Sequence, residues 1–123
     1  MTWSGLLLVA CGSMAGALAR YELGKVVSQI NNSEFPWGTW LINMTGTLLL
    51  GLFYQEFQVQ HHEFGWFLLL GTGFCGAFTT FSTMSVEAVA LLKKQFFFGV
   101  LYLGSSLAVG FILAWMANWL ISA

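Results

Sequence analysis

The stretch GTGFCGAFTTFSTMSVE, residues 71–87, decides how this chain is read. It sits between two apolar runs that each suit a lipid surrounding, and it sets three glycines and a cluster of Thr and Ser between them. Unwound backbone at membrane depth persists only where it is buried in protein or lines a polar path. Discontinuous helices of this kind build ion sites in transporters. The stretch therefore points to a membrane protein that moves or holds an ion.

Composition supports the same class. Of 123 residues, 58% are hydrophobic and 7% charged, and the net charge is −1. A soluble domain carries about 25% charged residues, so these residues cannot assemble a water-facing surface. An all-α membrane protein fits. The small negative charge argues against nucleic acid as a partner. Cys11 and Cys75 are far apart, each inside an apolar run, and read as small buried hydrophobes rather than a disulfide or a metal site. The N-terminus lacks the basic region of a cleavable signal, and its apolar run exceeds an h-region.

Working outward from the opening stretch, four apolar segments can be marked over residues 3–27, 37–57, 64–92 and 96–121. Each meets the roughly 20 residues needed to span a bilayer. Residues 1–123 then form one four-helix transmembrane domain, its third helix broken near the middle. The connections NNSEFP (31–36), QEFQVQHHE (55–63) and KKQ (93–95) are short and polar, and Pro36 suits the start of the second helix. Trp3, Trp37, Trp40, Trp66, Trp115 and Trp119 lie near segment ends, as an interfacial aromatic belt does. All four basic residues, Arg20, Lys25, Lys93 and Lys94, fall near the first and third loops. The positive-inside rule places those loops in the cytoplasm and both termini outside. Gly12 and Gly16 form a GxxxG spacing, with Gly46, Gly51, Gly104 and Gly110 as further points of close approach. A bundle this small has little interior, so a path between two subunits is more plausible than one through four helices.

Polar groups inside a span point to function. Asn43 lies about two turns into the second helix and offers two donors and an acceptor. It reads equally as a bundle hydrogen bond or as a path-lining group. Arg20 either snorkels to the interface or adds positive potential at an anion entrance. Glu22 and Lys25 read as an interfacial ion pair. Glu87, a turn or two from the break, reads as a carboxylate tied to a neighbouring helix or as a polar gate. Tyr102 and Ser106 share a face of the last helix, four residues apart, and Ser105 faces elsewhere. His61 and His62 read as a solvated loop, with no third ligand for a metal. If the chain unwinds near 76–80, carbonyls lose their helical partners and form a natural hard-cation site. Thr79, Thr80, Ser82 and Thr83 would surround it with hydroxyls, and Phe81, Met84 and Ser85 share one face. The competing reading of FTTFST is the cap of a second half-helix with Phe packed as core.

The run GFCGAFTTFSTMSVE resembles the signature of the Fluc (CrcB) fluoride channels, whose form is close to GxxGGxTTFSTF followed by a Glu. GALAR (Gly16–Arg20) resembles that family's first-helix Arg motif, and PWGTWLINMTG (Pro36–Gly46) its second-helix Asn motif. The resemblance covers nearly the whole chain. It implies an antiparallel, dual-topology dimer in the cell's inner (plasma) membrane, surrounded by lipid, with two fluoride pores along the subunit interface. It implies a central structural Na⁺ held by main-chain carbonyls of both subunits, which by position belong to Gly76 and Thr79. Asn43, Phe81, Ser82, Thr83, Met84, Tyr102 and Ser106 map to the pore or its side, Arg20 to a vestibule, and Glu87 to a polar position or gate near the pore. Fluoride enters as a neutral weak acid, dissociates in the cytoplasm, and leaves down its gradient, so no enzyme chemistry is implied.

Three positions depart from the family form. Met84 stands where a second Phe is usual, Gly110 where another Ser is, and Ala77 where a second Gly is. With basic residues on one side, these departures raise a heterodimer with a paralogue beside the homodimer. Two rivals remain: a proton-coupled small multidrug-type transporter, which needs a mid-membrane acid on the first helix, and a non-conducting subunit. There is no nucleophile–base pair or metal cluster for an enzyme.

Overall fold

A computed structural model describes residues 2–60 and 63–122. His61 and His62 lie outside the described residues. Helix α1 spans Trp3–Ile30, and the Thr2 hydroxyl caps it by accepting from the Gly5 N–H at 3.1 Å. Helix α2 spans Trp37–Phe53 and widens into π-helical turns over Tyr54–Gln60. The third segment opens as an α-turn, Phe64–Trp66, widens into a π-helix over Phe67–Cys75, and closes with an α-turn, Gly76–Phe78. These contiguous turns are α3. Thr79 and Thr80 are extended, and helix α4 follows over Phe81–Lys94. Helix α5 spans Phe96–Ser122.

Three stretches are long and apolar enough to cross a membrane: Trp3–Ile30, Phe64–Lys94 and Phe96–Ile121. Helix α2 has 17 residues before its π-helical extension. The chain is thus an all-helical membrane protein. Most side chains that would form a soluble core instead face outward, among them Trp3, Phe96, Phe97, Leu107, Phe111, Trp115 and Trp119.

Backbone contact holds the front of the bundle. A Cβ on Gly12 would fall on Leu69 O, and one on Gly16 would fall on Phe74 O. Helix α1 therefore lies directly on the π-helical part of α3, where Gly71, Gly73 and Cys75 are buried. The π-helix is the feature least expected from the sequence. Wide turns are rare and cluster at functional sites. Here the absence of side chains lets Phe67 fold over Gly71, where a Cβ would come within 2.6 Å of the ring. Side chains hold the rear. Phe35, Ala88, Leu91 and Tyr102 form a small core, with Trp40, Met84, Phe98 and Leu103 against it. Phe35 meets Tyr102 edge-on at 5.4 Å.

Several expectations need correction. The break lies at Thr79–Thr80, and Gly76 remains helical, because the turn Gly76–Phe78 continues α3 without strain. Helix α1 runs three residues past Val27, to Ile30. Cys75 is buried but Cys11 is exposed on the outer face of α1, and both are free thiols. Among the described residues Glu22 and Lys25 form no ion pair, both being exposed. Lys94 instead pairs with Glu34 at 3.3 Å, which ties the first connection to the end of α4.

Candidate functional site

The site grows from the two extended residues. In an unbroken helix the Thr80 N–H would bond Gly76 O, and the Thr83 N–H would bond Thr79 O. Here the Thr80 N–H donates to Asn43 Oδ1 at 2.9 Å, and the Thr83 N–H donates to Thr80 Oγ1 at 3.2 Å. Both diversions take helical donors from the carbonyls of Gly76 and Thr79. Thr80 thus caps α4 in the manner of an N-cap Thr. Asn43 completes a two-bond clasp, its Nδ2 donating to Thr80 O at 3.0 Å. A side-chain amide has replaced the backbone partner that the break removed. One N–H of the Asn43 amide remains beyond this clasp.

Two grooves flank the clasp. The first, about 490 Å³, is lined by Asn43, Gly46, Thr79, Phe81, Met84 and Ser106 among others. Phe81 is 77% exposed, so its ring stands at the surface of the chain. The second, about 470 Å³, is lined by Arg20, Lys25, Thr39, Thr80 and Thr83 among others. Arg20 Nε is buried there without a hydrogen-bond partner among the described residues. The two grooves share Thr80.

Between them Thr39 Oγ1 donates to Glu87 Oε1 at 2.5 Å, joining α2 to α4. Tyr102 is fully buried in the small core, and its hydroxyl has no hydrogen-bond partner among the described residues. Ser106, one turn on, is buried and reaches the first groove, whereas Ser105 turns away to accept from Trp40 Nε1 at 3.0 Å.

The residues singled out in the sequence therefore divide. Asn43, Thr79, Phe81, Met84 and Ser106 meet in one groove, and Arg20 and Thr83 in the other. Ser82 and Gly76 are exposed at the surface of the chain, and Tyr102 is buried in the small core and does not line the first groove. Thr39, which holds Glu87, was not anticipated. The signal was present, since Thr39 precedes Asn43 by four residues and shares its face of α2.

An interrupted helix flanked by two mostly apolar grooves that carry a few polar groups, in a chain of lipid-compatible helices, defines a helical membrane protein organised around a polar break. A family model described as CrcB-like protein, Camphor Resistance (CrcB), matches residues 7–118. The chain is 44% identical over 111 residues to a protein of Bacillus thuringiensis subsp. konkukian named fluoride-specific ion channel FluC 2, covering 89% of this chain and 91% of that one. It is 42% identical over 113 residues to fluoride-specific ion channel FluC of Acidobacterium capsulatum, covering 89% and 90%. It is 39% identical over 117 residues to fluoride-specific ion channel FluC 1 of Ligilactobacillus salivarius, covering 94% and 97%. The chain belongs to the CrcB family, a family of channels rather than enzymes.

Proposed function

We propose that this chain forms a fluoride-selective channel that exports cytoplasmic fluoride passively across the plasma membrane. The observation that carries this reading is the groove beside Thr79–Thr80, where Asn43, Phe81 and Ser106 converge on a surface open to a second chain. The names of the relatives support it.

In this reading the chain crosses the membrane four times, with the third crossing broken at Thr79–Thr80. Two copies pair in antiparallel orientation and complete two pores along their shared surface. Fluoride is small and strongly hydrated, so a pore must replace its lost water with donors. The remaining N–H of Asn43 and the hydroxyl of Ser106 are such donors. Phe81 adds the positive edge of its ring. Met84 fills space opposite without a ring edge. Arg20 concentrates anions at the second groove. Ser82 and Thr83 add hydroxyls at the α4 entrance, Glu87 is held by Thr39 as a gate residue, and Tyr102 supports Ser106.

The same reading places a structural Na⁺ at the dimer centre. The donor set fits a hard cation, because the carbonyls of Gly76 and Thr79 have both lost their helical donors. A Cβ on Gly76 would meet nothing within 4 Å, so this side of the break is open to a partner. When bound, the ion supplies positive charge that knits the subunits and raises the potential felt by the anion.

A second reading, pairing with a paralogue, has its own support. The Lys94–Glu34 pair puts the first and third connections at one end, alongside Lys25 and Lys93. That bias favours one insertion direction. Relatives carrying the numbers FluC 1 and FluC 2 imply paralogous chains in some species. A multidrug-type transporter is less well supported, since Glu22, the acid on α1, is exposed in its last third. The deciding experiment is fluoride efflux from liposomes holding this chain alone, with chloride as control. Fast fluoride-selective efflux that requires Na⁺ supports the homodimer. Silence from folded protein, cured by coexpression with a paralogue, supports the heterodimer, and silence in both supports a non-conducting subunit.

A further inference from the structure

We infer that Gly46 is a positioning residue, which seats the Thr79 methyl against α2 and so fixes the Thr79 carbonyl toward the cation. The inference rests on the Na⁺ reading above. It begins with a contact that no side chain could share. A Cβ on Gly46 would fall on Thr79 Cγ2 and approach Phe78 Cδ2 to 3.3 Å. Thr79 cannot turn its methyl aside freely. Its Oγ1 donates to Cys75 O at 3.0 Å, and its N–H donates to the same carbonyl at 3.0 Å. Rotation about χ1 would break the hydroxyl bond, so the methyl is aimed at α2 by the end of α3 itself.

The neighbouring clasp fixes the other side. Asn43, one turn before Gly46 on α2, holds both main-chain groups of Thr80. Between them, Asn43 and Gly46 set how far the break stands from α2: the amide pulls Thr80 in, and the bare Cα of Gly46 lets Thr79 follow. A methyl at 46 would push Thr79 outward while Thr80 stays held. The peptide between them would tilt, and that peptide carries the Thr79 carbonyl. Gly51, also on α2, provides the contrast. A Cβ there would meet Ala117 Cβ on α5 at 2.7 Å, a packing conflict away from the break.

The test compares four proteins: the wild type, Gly46→Ala, Gly46→Ala with Thr79→Ser, and Gly51→Ala. Thr79→Ser deletes the opposing methyl and keeps the hydroxyl that bonds Cys75. The readout is the Na⁺ concentration that half-maximally raises the melting temperature in detergent, measured against a large organic cation. Gly46→Ala is expected to raise that concentration roughly 10-fold or more, as loss of a group that orients a metal ligand does. The double variant is expected to return to within about threefold of wild type, a residue of the Phe78 contact. Gly51→Ala is expected to lower the melting temperature at every Na⁺ concentration without moving the half-point.

Two results overturn the inference: a Gly46→Ala protein with the wild-type half-point, or a loss that Thr79→Ser does not restore. A wild type indifferent to Na⁺ overturns the cation reading instead. Fluoride efflux of the same proteins then decides Gly46, recovery in the double variant supporting it and continued loss refuting it.

Discussion

Helices α3 and α4 stand on either side of two extended residues and are held in opposite ways. Helix α3 is gripped by backbone. Glycines at 12 and 16 bring α1 onto carbonyls of Leu69 and Phe74, and its own Gly71, Gly73 and Cys75 are buried. Helix α4 is gripped by side chains along one face only. Ala88 and Leu91 enter the small core, and Glu87 takes the Thr39 hydroxyl. Its other face is bare, with Phe81 at 77% and Val86 at 70% exposure. One half is fixed within the chain and the other is presented at its surface. The clasp from Asn43 to Thr80 is where the fixed half hands over to the presented half. Phe81, Ser82 and Thr83 all lie on this exposed side.

The sharpest way to break this comparison is to put a side chain into the fixed half. Gly16→Val would set a branched Cβ on Phe74 O, a main-chain atom with no rotamer to relieve the clash. The expected outcome exceeds the ~1–3 kcal/mol of ordinary core overpacking. It would be seen as loss of folded protein on size-exclusion chromatography. A folded Gly16→Val channel would show that α1 and α3 are not in backbone contact.

Next in size is the clasp. Asn43→Ala leaves the Thr80 N–H unpaired and removes one of the donors to Thr80 O, which as the N-cap carbonyl of α4 also accepts from within that helix. Each unpaired buried group costs about 1–3 kcal/mol. Unfolding in mixed micelles is expected to shift by about 3 kcal/mol. Asn43→Asp keeps an acceptor for the Thr80 N–H and loses only the donor to Thr80 O, so it should fall between. Equal effects for both variants would mean that the two bonds do not act separately. Smaller again is Thr39→Val, which removes one hydroxyl bond to a carboxylate. Such bonds contribute about 1.5–3 kcal/mol. A loss of about 2 kcal/mol, abolished when Glu87 is already Leu and can no longer accept, is expected from a double-mutant cycle.

The same contrast explains what was legible in the sequence. The helical segments were readable because apolar length leaves few alternatives at membrane depth. The break was readable within a few residues, since Thr-Thr-Phe-Ser carries an N-cap signal at Thr80. Its position was less sharp, because glycine permits a break at Gly76 without requiring one. The π-helix in α3 was not readable, because a glycine such as Gly71, over which Phe67 folds, permits an ordinary α-turn equally well. Asn43 was identified as polar and central, but its bond to Thr80 main chain depends on how α2 lies against the break. Thr39 was missed because a Thr in an apolar helix can bond the backbone one turn back, as Thr47 does to Asn43 O, and only packing brings Glu87 to it.

The smallest effect on the fold is expected on the presented face, and it sharpens the comparison most. Phe81 is large, aromatic and mostly exposed, so Phe81→Ala removes little that the chain buries. A surface change of this kind moves stability by about 0.5 kcal/mol or less. Yet Phe81 lines the first groove beside Asn43 and Ser106. If its ring edge faces the permeating anion, losing it removes about 1.5 kcal/mol of stabilisation, or roughly tenfold in efflux rate. Folding and conduction should therefore part company at this residue: unfolding in micelles unchanged, fluoride efflux reduced. An unfolding loss of about 2 kcal/mol would instead give Phe81 the weight of a buried aromatic, and α4 would have no presented face.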